Sequence, residues 1–475
     1  DQAIKLDPKQ FRHWSGRGYC NFYLKQYEDA IKDFNKAIEL DPKYSGCWNL
    51  RGQSKYFLDQ DEEAIKDFNK AIELDPENDI SWDFRGTCKY YLDQYEEAIK
   101  DLDIAIELNP ENSNSWDFRG TCKYFLKQYQ EAIKDLNIAI ELNPEKYDSW
   151  DFRGRCKPFL EQYQEAIKDF NKSIELNPEN YYSWHFRGGC KYSLKQYQEA
   201  IKDFTKAIKL DPKESKSWYF RGRCKYSLKQ YQEAIKDFNK AIKLVPEDSN
   251  AWESRGFVYL AELKYALAEK DFKKVYEIDG DKANFNHNLG EIFYRKKNYY
   301  YAIKHYLEAL KIDPKNFSIY ANMSFAKLEL GNFVDSHDDL KKSEELFKKK
   351  NDKEFFLNFN NEEINKVIKI YELNNDLKAV EKILGFLTKK NKDNKNQLSL
   401  GILQFKKGDF YNAISNLLEV YEVDNKNKEC ILYLGKAKLA LKDYKNALVD
   451  FKNYRLLEKN EEVEELIKTC EENLT

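Results

Sequence analysis

Residues 82–110 read Trp82-Asp-Phe-Arg-Gly86-Thr-Cys-Lys-Tyr-Tyr-Leu-Asp-Gln-Tyr95-Glu-Glu-Ala98-Ile-Lys-Asp-Leu-Asp-Ile-Ala105-Ile-Glu-Leu-Asn-Pro110. The same stretch recurs on both sides of itself at a fixed step. All eight tryptophans of the chain, Trp14, Trp48, Trp82, Trp116, Trp150, Trp184, Trp218 and Trp252, lie 34 residues apart. A strict period of that length marks helix-turn-helix units stacked into a solenoid.

Other residues keep the same beat. With Trp as repeat position 4, position 8 is glycine from Gly18 to Gly256, and position 20 is alanine from Ala30 to Ala268. Position 32 is proline from Pro42 to Pro246. The spacing predicts helix A from about Trp82 to Leu92 and helix B from about Tyr95 to Leu108. Glycine and alanine are small, so the two helices can approach closely, while large side chains at positions 4, 6, 17 and 24 fill the remaining space. The proline ends helix B. No unit can bury its apolar face alone, so neighbours must stack.

The unit resembles the tetratricopeptide repeat at Trp82, Gly86, Tyr95, Ala98, Ala105 and Pro110. The resemblance spans most of the chain. It implies an all-α fold, a right-handed α-solenoid superhelix of stacked helix-turn-helix repeats. Residues 1–345 read as a partial first repeat and then ten near-regular ones, and 346–359 as an insertion or irregular connection. Residues 360–460 read as three divergent repeats centred on Val367, Gly401 and Gly435, and 461–475 as a capping helix. Ala3, Leu6 and Pro8 sit where the repeat places its Ala, Leu and Pro at positions 27, 30 and 32, so a helix A is expected before Asp1 and the chain reads as part of a longer protein.

Net charge is −3 with acids and bases interspersed, which argues against a nucleic-acid or membrane surface. No stretch reads as a transmembrane segment or signal peptide. Six of the nine cysteines, Cys20, Cys88, Cys122, Cys156, Cys190 and Cys224, occupy position 10, at most one per repeat. Copies one repeat apart stand roughly 10 Å from each other, too far to bridge. They read as buried free thiols in a reducing compartment, hence a cytoplasmic protein, with a cilium, axoneme or organelle assembly as the alternative.

Charge also repeats. Position 7 is Arg from Arg17 to Arg255, and position 23 is Asp from Asp33 to Asp271. Repeats two to seven add Lys at position 11 and Glu at position 19. Antiparallel helices joined by a tight turn pair positions of constant sum, so Arg85 is expected to face Asp101 and Lys89 to face Glu97. The alternative is two separate solvated rows. As exposed pairs they would be worth about 0–1 kcal/mol each.

By the resemblance, helix A lines a concave groove with positions 2, 5, 9, 12 and 13. Position 5 supplies Asp83, Asp117, Asp151 and His185; position 9 supplies Arg155 and Arg223; position 12 supplies Tyr90, Tyr124, Tyr192 and Tyr226. The expected groove is tyrosine-lined, acidic around the aspartates and basic near the arginines, suited to an extended peptide, a helix or complex subunits. Ordinary solvated positions copied by duplication are the alternative. The carboxylate-clamp residue set of chaperone-binding family members is absent, since position 6 is Phe84, Phe118, Phe152, Phe186 and Phe220. Pro158 falls inside helix A of the fifth repeat, where it should kink the helix.

No catalytic constellation emerges. The histidines, His13, His185, His287, His305 and His337, show no metal-ligand spacing, and no phosphate-binding glycine loop is present. The expectation is a non-enzymatic protein–protein scaffold without cofactor, metal or small-molecule substrate. It is either built into a larger assembly or a soluble peptide-binding adaptor. A regulatory arm of a longer enzyme or chaperone is the third reading.

Overall fold

The computed structural model describes residues 1–348, 355, 359–391 and 394–474. Among them are twenty-eight α-helices and no strand, an all-α solenoid of helical repeats. The chain forms two compact units, residues 1–258 and residues 259 onward.

In the first unit each repeat is an antiparallel helix pair, such as Asp79–Tyr91 with Tyr95–Leu108 and Ser113–Phe125 with Tyr129–Leu142. Helix A begins about three residues before the tryptophan. Asn78, Asn112 and Asn180 cap it, each side chain accepting a hydrogen bond from a first-turn N–H. The turn to helix B passes through one left-handed residue at position 15, including Lys25, Asp59, Asp93, Lys127 and Glu161, with φ between 57° and 61°. Helix B stops just before the proline, whose carbonyl accepts the indole N–H of the next tryptophan at 2.8–3.1 Å in eight successive instances.

Position 8 must be glycine for a steric reason. A Cβ on Gly86 would stand 2.8 Å from Leu102 Cγ, and one on Gly52 2.8 Å from the Phe68 ring. Position 20 alanines are fully buried from Ala30 to Ala268. The position 10 thiol of one repeat packs against the alanine and the position 24 residue of the repeat before it, as Cys122 does on Ala98 and Leu102. All nine cysteines are free and eight are buried; Cys20 is exposed. Burial pushes the thiols of Cys122, Cys156, Cys190 and Cys224 up to about 12.

The arginine at position 7 does face the aspartate at position 23. In repeats one to seven Nε and one terminal nitrogen grip both carboxylate oxygens at 2.6–3.0 Å. The second pairing differs from expectation. Lys89 reaches Asp101 at 2.7 Å rather than Glu97, and Lys55, Lys123, Lys157, Lys191 and Lys225 do the same in their repeats at 2.6–2.8 Å. A constant-sum rule ignores side-chain length; the lysine is long enough to bend one turn toward the deeper carboxylate. These pairs are also not exposed: Asp101 keeps 3% of its surface. From Arg51 to Arg221 the free terminal nitrogen then reaches helix B of the preceding repeat, at Asn35, Asn69, Asp103, Asn137, Asn171 or Thr205, while that of Arg17 reaches Asp1. The guanidinium lies 4.6–5.1 Å from the tryptophan ring of its own helix.

Pro158 acts more strongly than a kink. The α-helix Tyr147–Cys156 ends before it, and Lys157–Leu160 continue as a 3-10 turn. Pro158 falls in the first turn of that 3-10 segment, where an N–H would have no intrahelical partner, so its missing donor is accommodated.

The second unit repeats the device with different residues. A Cβ on Gly401 would stand 2.7 Å from Leu417 Cγ, the same sixteen-residue relation as in the first unit. Tyr306 is fully buried, and its hydroxyl donates to Glu291 at 2.7 Å. At the expected insertion, Leu346 to Lys348 finish the helix Phe333–Lys348, and Phe355 packs in the core with Phe347, Val367 and Ile383. The remainder of 346–359, save Phe359, lies outside the described residues. Glu461–Glu472 forms the last helix, burying Val463, Ile467 and Cys470.

Two expectations follow. Asp101→Asn leaves Arg85 and Lys89 facing each other without their anion and should cost about 3–5 kcal/mol in chemical denaturation, whereas Glu97→Ala leaves stability unchanged; equal effects would sink the corrected pairing. In thiol titration of the native protein one cysteine, Cys20, reacts promptly, and the other eight react only on unfolding.

Candidate functional site

The position 5 residues come from the middle of helix A, and the structure turns them toward the next repeat. The serine at position 3 of the following helix A donates to each carboxylate: Ser115 to Asp83, Ser149 to Asp117 and Ser183 to Asp151, at 2.5–2.6 Å. His185 continues the ladder through Nδ1 and Ser217 Oγ at 2.8 Å. Asp83, Asp117 and Asp151 are all at most 8% exposed. The acidic groove lining expected from sequence is therefore replaced by a buried inter-repeat ladder. The reason is packing: when helices A lie side by side, position 5 is covered by its neighbour's first turn.

Burial raises the carboxyls of Asp83 and Asp151 above the usual range, against the Ser115 hydrogen bond in one case and the Arg155 charge in the other. Asp117 is also paired with Lys146 at 2.8 Å. Burial lowers His185 to about 4, helped by the charges of Lys216 and Arg155, so its ring is neutral at pH 7.

The position 9 arginines are likewise engaged. Arg155 pairs with Asp151, and its guanidinium lies 4.6–4.7 Å from the rings of Phe152, Tyr182 and Phe186. Arg223 sits 5.1 Å from the Tyr192 ring and 5.7 Å from Tyr219. Of the position 12 tyrosines, Tyr90 and Tyr124 are half-buried, 5.4 Å from Phe118 and 5.7 Å from Phe152 respectively. Burial is the first cause that raises both phenols. Tyr192 is half-buried and Tyr226 is exposed. The structure thus brings Asp151, Arg155 and Tyr124 into one neighbourhood and Tyr192 with Arg223 into another, mostly as packing.

Two features were missed from sequence. Position 13 carries large aromatic side chains that stay open to solvent: Tyr23, Phe57, Tyr91, Phe125 and Phe159. Their signal was present, since the resemblance counts position 13 among groove positions. In the second unit an open apolar groove is lined by Tyr300, Ile303, Leu307, Leu310, Tyr320 and Met323, rimmed by Lys304 and Lys311. No period marks it, because these repeats have diverged. Among the described residues, no group of three His, Cys, Asp or Glu could hold a metal ion. Among them too, no helix is long and apolar enough to cross a membrane.

Sequence models of the tetratricopeptide repeat match residues 12–44, 45–78, 85–147, 222–262 and 290–331. A model of anaphase-promoting complex, cyclosome, subunit 3 matches residues 160–241. The chain belongs to the tetratricopeptide repeat family, whose repeats serve generally as protein-interaction scaffolds. No curated protein matches it in sequence. Similar solved structures include YrrB, described as a TPR protein with an unusual peptide-binding site, at 23% identity and TM-score 0.35, covering 39% of this chain and 95% of YrrB. Yeast Tom70 is 16% identical with TM-score 0.38, over 98% of this chain and 95% of its own. The Cut9–Hcn1 hetero-tetramer of the APC/C gives 13% and 0.39, over 97% and 96%.

The ladder makes a pH prediction. A neutral His185 in the folded chain, against about 6.5 unfolded, contributes stability above pH 6.5 that is lost as pH falls toward 4. Asp83 and Asp151, raised by burial, act in the opposite sense, so the comparison must be with His185→Gln. The variant should gain on the wild type by about 2–3 kcal/mol between pH 7 and pH 4. Parallel stability curves would show that the ring is not held neutral.

Proposed function

We propose that this chain is a non-enzymatic protein–protein interaction scaffold, a structural component of a larger assembly that holds partners through its helix A face and its divergent C-terminal repeats. One observation carries the reading. The charged and polar side chains that stand out in the sequence are consumed in joining repeat to repeat: the Arg–Asp–Lys cluster, the arginine reach to the preceding helix B, and the Asp–Ser–His ladder. On an otherwise charged surface of both signs, the helix A face then keeps outward the aromatic side chains of position 13, and the second unit an open apolar groove. Such a surface suits macromolecular contact rather than bond-making chemistry.

The exposed Tyr226 and the Lys-rimmed groove of the second unit favour a second reading, a soluble adaptor that captures a peptide or helix. The two differ in what they retain. Native full-length protein isolated from its source should carry a stoichiometric set of subunits that survives a salt wash. A few substoichiometric partners, lost on Tyr226→Ala or Leu307→Asp, would establish the adaptor instead. A turnover activity copurifying with the isolated chain would overturn both.

A further inference from the structure

We propose that the groove of the second unit binds an arginine side chain presented by an apolar segment of another polypeptide, with the guanidinium paired to Asp339. The proposal rests on the scaffold and adaptor readings only in taking the occupant to be a polypeptide.

The groove lies where the early repeats keep their own arginine. Helices Tyr299–Ile312, Phe317–Glu329 and Phe333–Lys348 carry its lining residues, and its volume is about 680 Å³. Tyr320, Met323, Lys327 and Asp339 line it from positions 4, 7, 11 and 23 of the tenth repeat. Those are the places of Trp82, Arg85, Lys89 and Asp101 in the third. Leu307 lines it from position 25 of the repeat before, the counterpart of Asn69. An aromatic ring, the lysine and the carboxylate therefore persist, while the arginine has become Met323.

The carboxylate is left short of donors. Lys327 Nζ stands 2.6 Å from Asp339 Oδ2, as Lys89 stands from Asp101. A methionine supplies no hydrogen-bond donor, so among the described residues Lys327 alone pairs with Asp339. The position 23 carboxylates of repeats one to seven keep 3–5% of their side-chain surface, whereas Asp339 keeps 13%. Burial raises its carboxyl above the usual range, and the charges of Asp335 and Asp338 add to the rise. A cation arriving from the groove would relieve all three.

The chain itself shows which cation completes this arrangement. In seven repeats it is a guanidinium, with Nε and a terminal nitrogen on the two oxygens and the flat face 4.6–5.1 Å from the position 4 ring, as Arg85 lies between Asp101 and Trp82. A second ammonium could neither fork the carboxylate nor stack on Tyr320. A wholly apolar ligand would cover Asp339 without compensating its charge. Lys304 does not bar a cation, for it holds position 22, and Lys32, Lys66 and Lys100 hold that position beside filled forks. Lys311 is paired with Glu308 at 2.6 Å.

The rest of the groove sets the arginine's neighbours. Asn69 receives the third nitrogen of Arg85, but Leu307 offers no acceptor in its place. Tyr300 and Leu307 are exposed and Ile303 is half-buried. Side chains flanking the arginine must therefore be apolar, and the exposed leucine and tyrosine are covered when they arrive.

The test uses the full chain and a fluorescently labelled peptide, acetyl-Ala-Leu-Arg-Leu-Ala-amide. It should bind saturably. The citrulline peptide, equal in shape but uncharged, and the lysine peptide should each bind about tenfold or more weakly; this arm needs no variant. Asp339→Asn should weaken the arginine peptide to a similar degree. Asp450→Asn, which removes the like Lys438–Asp450 pair in another repeat, should leave its affinity unchanged. Met323→Arg restores the residue that stands at position 7 from Arg17 to Arg255, so the chain fills its own site and the peptide should be excluded. Met323→Leu, the residue of Leu289 and Leu434 at that position, should still bind. Equal binding of the arginine and citrulline peptides, full affinity in Met323→Arg, or equal losses in Asp339→Asn and Asp450→Asn would overturn the proposal. So would absence of arginine-peptide binding, and that failure leaves the scaffold reading standing if stoichiometric subunits are still retained from the native source.

Discussion

A carboxylate buried at position 23 is the constraint around which each early repeat is built. An unpaired charge there would be too costly to keep. Asp101 is tolerable because Arg85 grips both its oxygens and Lys89 adds a second cation. The same arginine has donors to spare. One reaches Asn69 of the preceding repeat, and the flat guanidinium covers Trp82, whose indole N–H is bound to the Pro76 carbonyl. A single side chain therefore links both helices of its own repeat, the helix before it and the turn between. Pull out the aspartate and every one of those ties loses its anchor.

That arrangement answers a problem peculiar to near-identical repeats. Apolar faces that are copies of one another could pack in more than one register at similar cost. Directional hydrogen bonds cannot. The fork fixes how helix A sits on helix B, the Arg–Asn bond fixes how one repeat sits on the last, and the Asp–Ser ladder fixes adjacent helices A. Each is made of groups that are penalised if left unpaired, so a slipped stack loses several at once. Where the second unit gives up the arginine fork, two repeats keep the Lys–Asp pair, Lys327 with Asp339 and Lys438 with Asp450, and another ties its buried Tyr306 to Glu291 through the hydroxyl.

The fold was legible because a 34-residue beat of Trp, Gly, Ala and Pro dictates where helices meet and end. The Arg85–Asp101 pair was legible for a similar reason, since antiparallel geometry fixes which positions oppose. Sequence failed where reach or cover matters. Lys89 could bend to either carboxylate, and pattern alone does not weigh depth. Asp83, Asp117 and Asp151 look like groove acids when one repeat is drawn alone, and become core once a second repeat lies over them. Pro158 was visible, but whether a proline kinks a helix or ends it depends on what the following turn can become.

The position 13 row went unread for the opposite reason: it lies among the groove positions, and although Phe57, Phe125 and Phe159 stack on the preceding repeat, no packing rule fixes the residue type there. Within this chain that absence of constraint is itself informative. Positions 8, 20 and 23 hardly vary among the first eight repeats, because a Cβ, a larger side chain or a lost charge would break the stack. Positions 9, 12 and 13 vary freely, from Thr87 to Arg155, from Tyr124 to Pro158 and from Phe125 to Ser193. A solenoid can distinguish one partner from another only with residues its own packing does not dictate. The aromatic run from Tyr23 to Phe159 is such a residue set, kept through five repeats and dropped in the next two without harm to the helices that carry it.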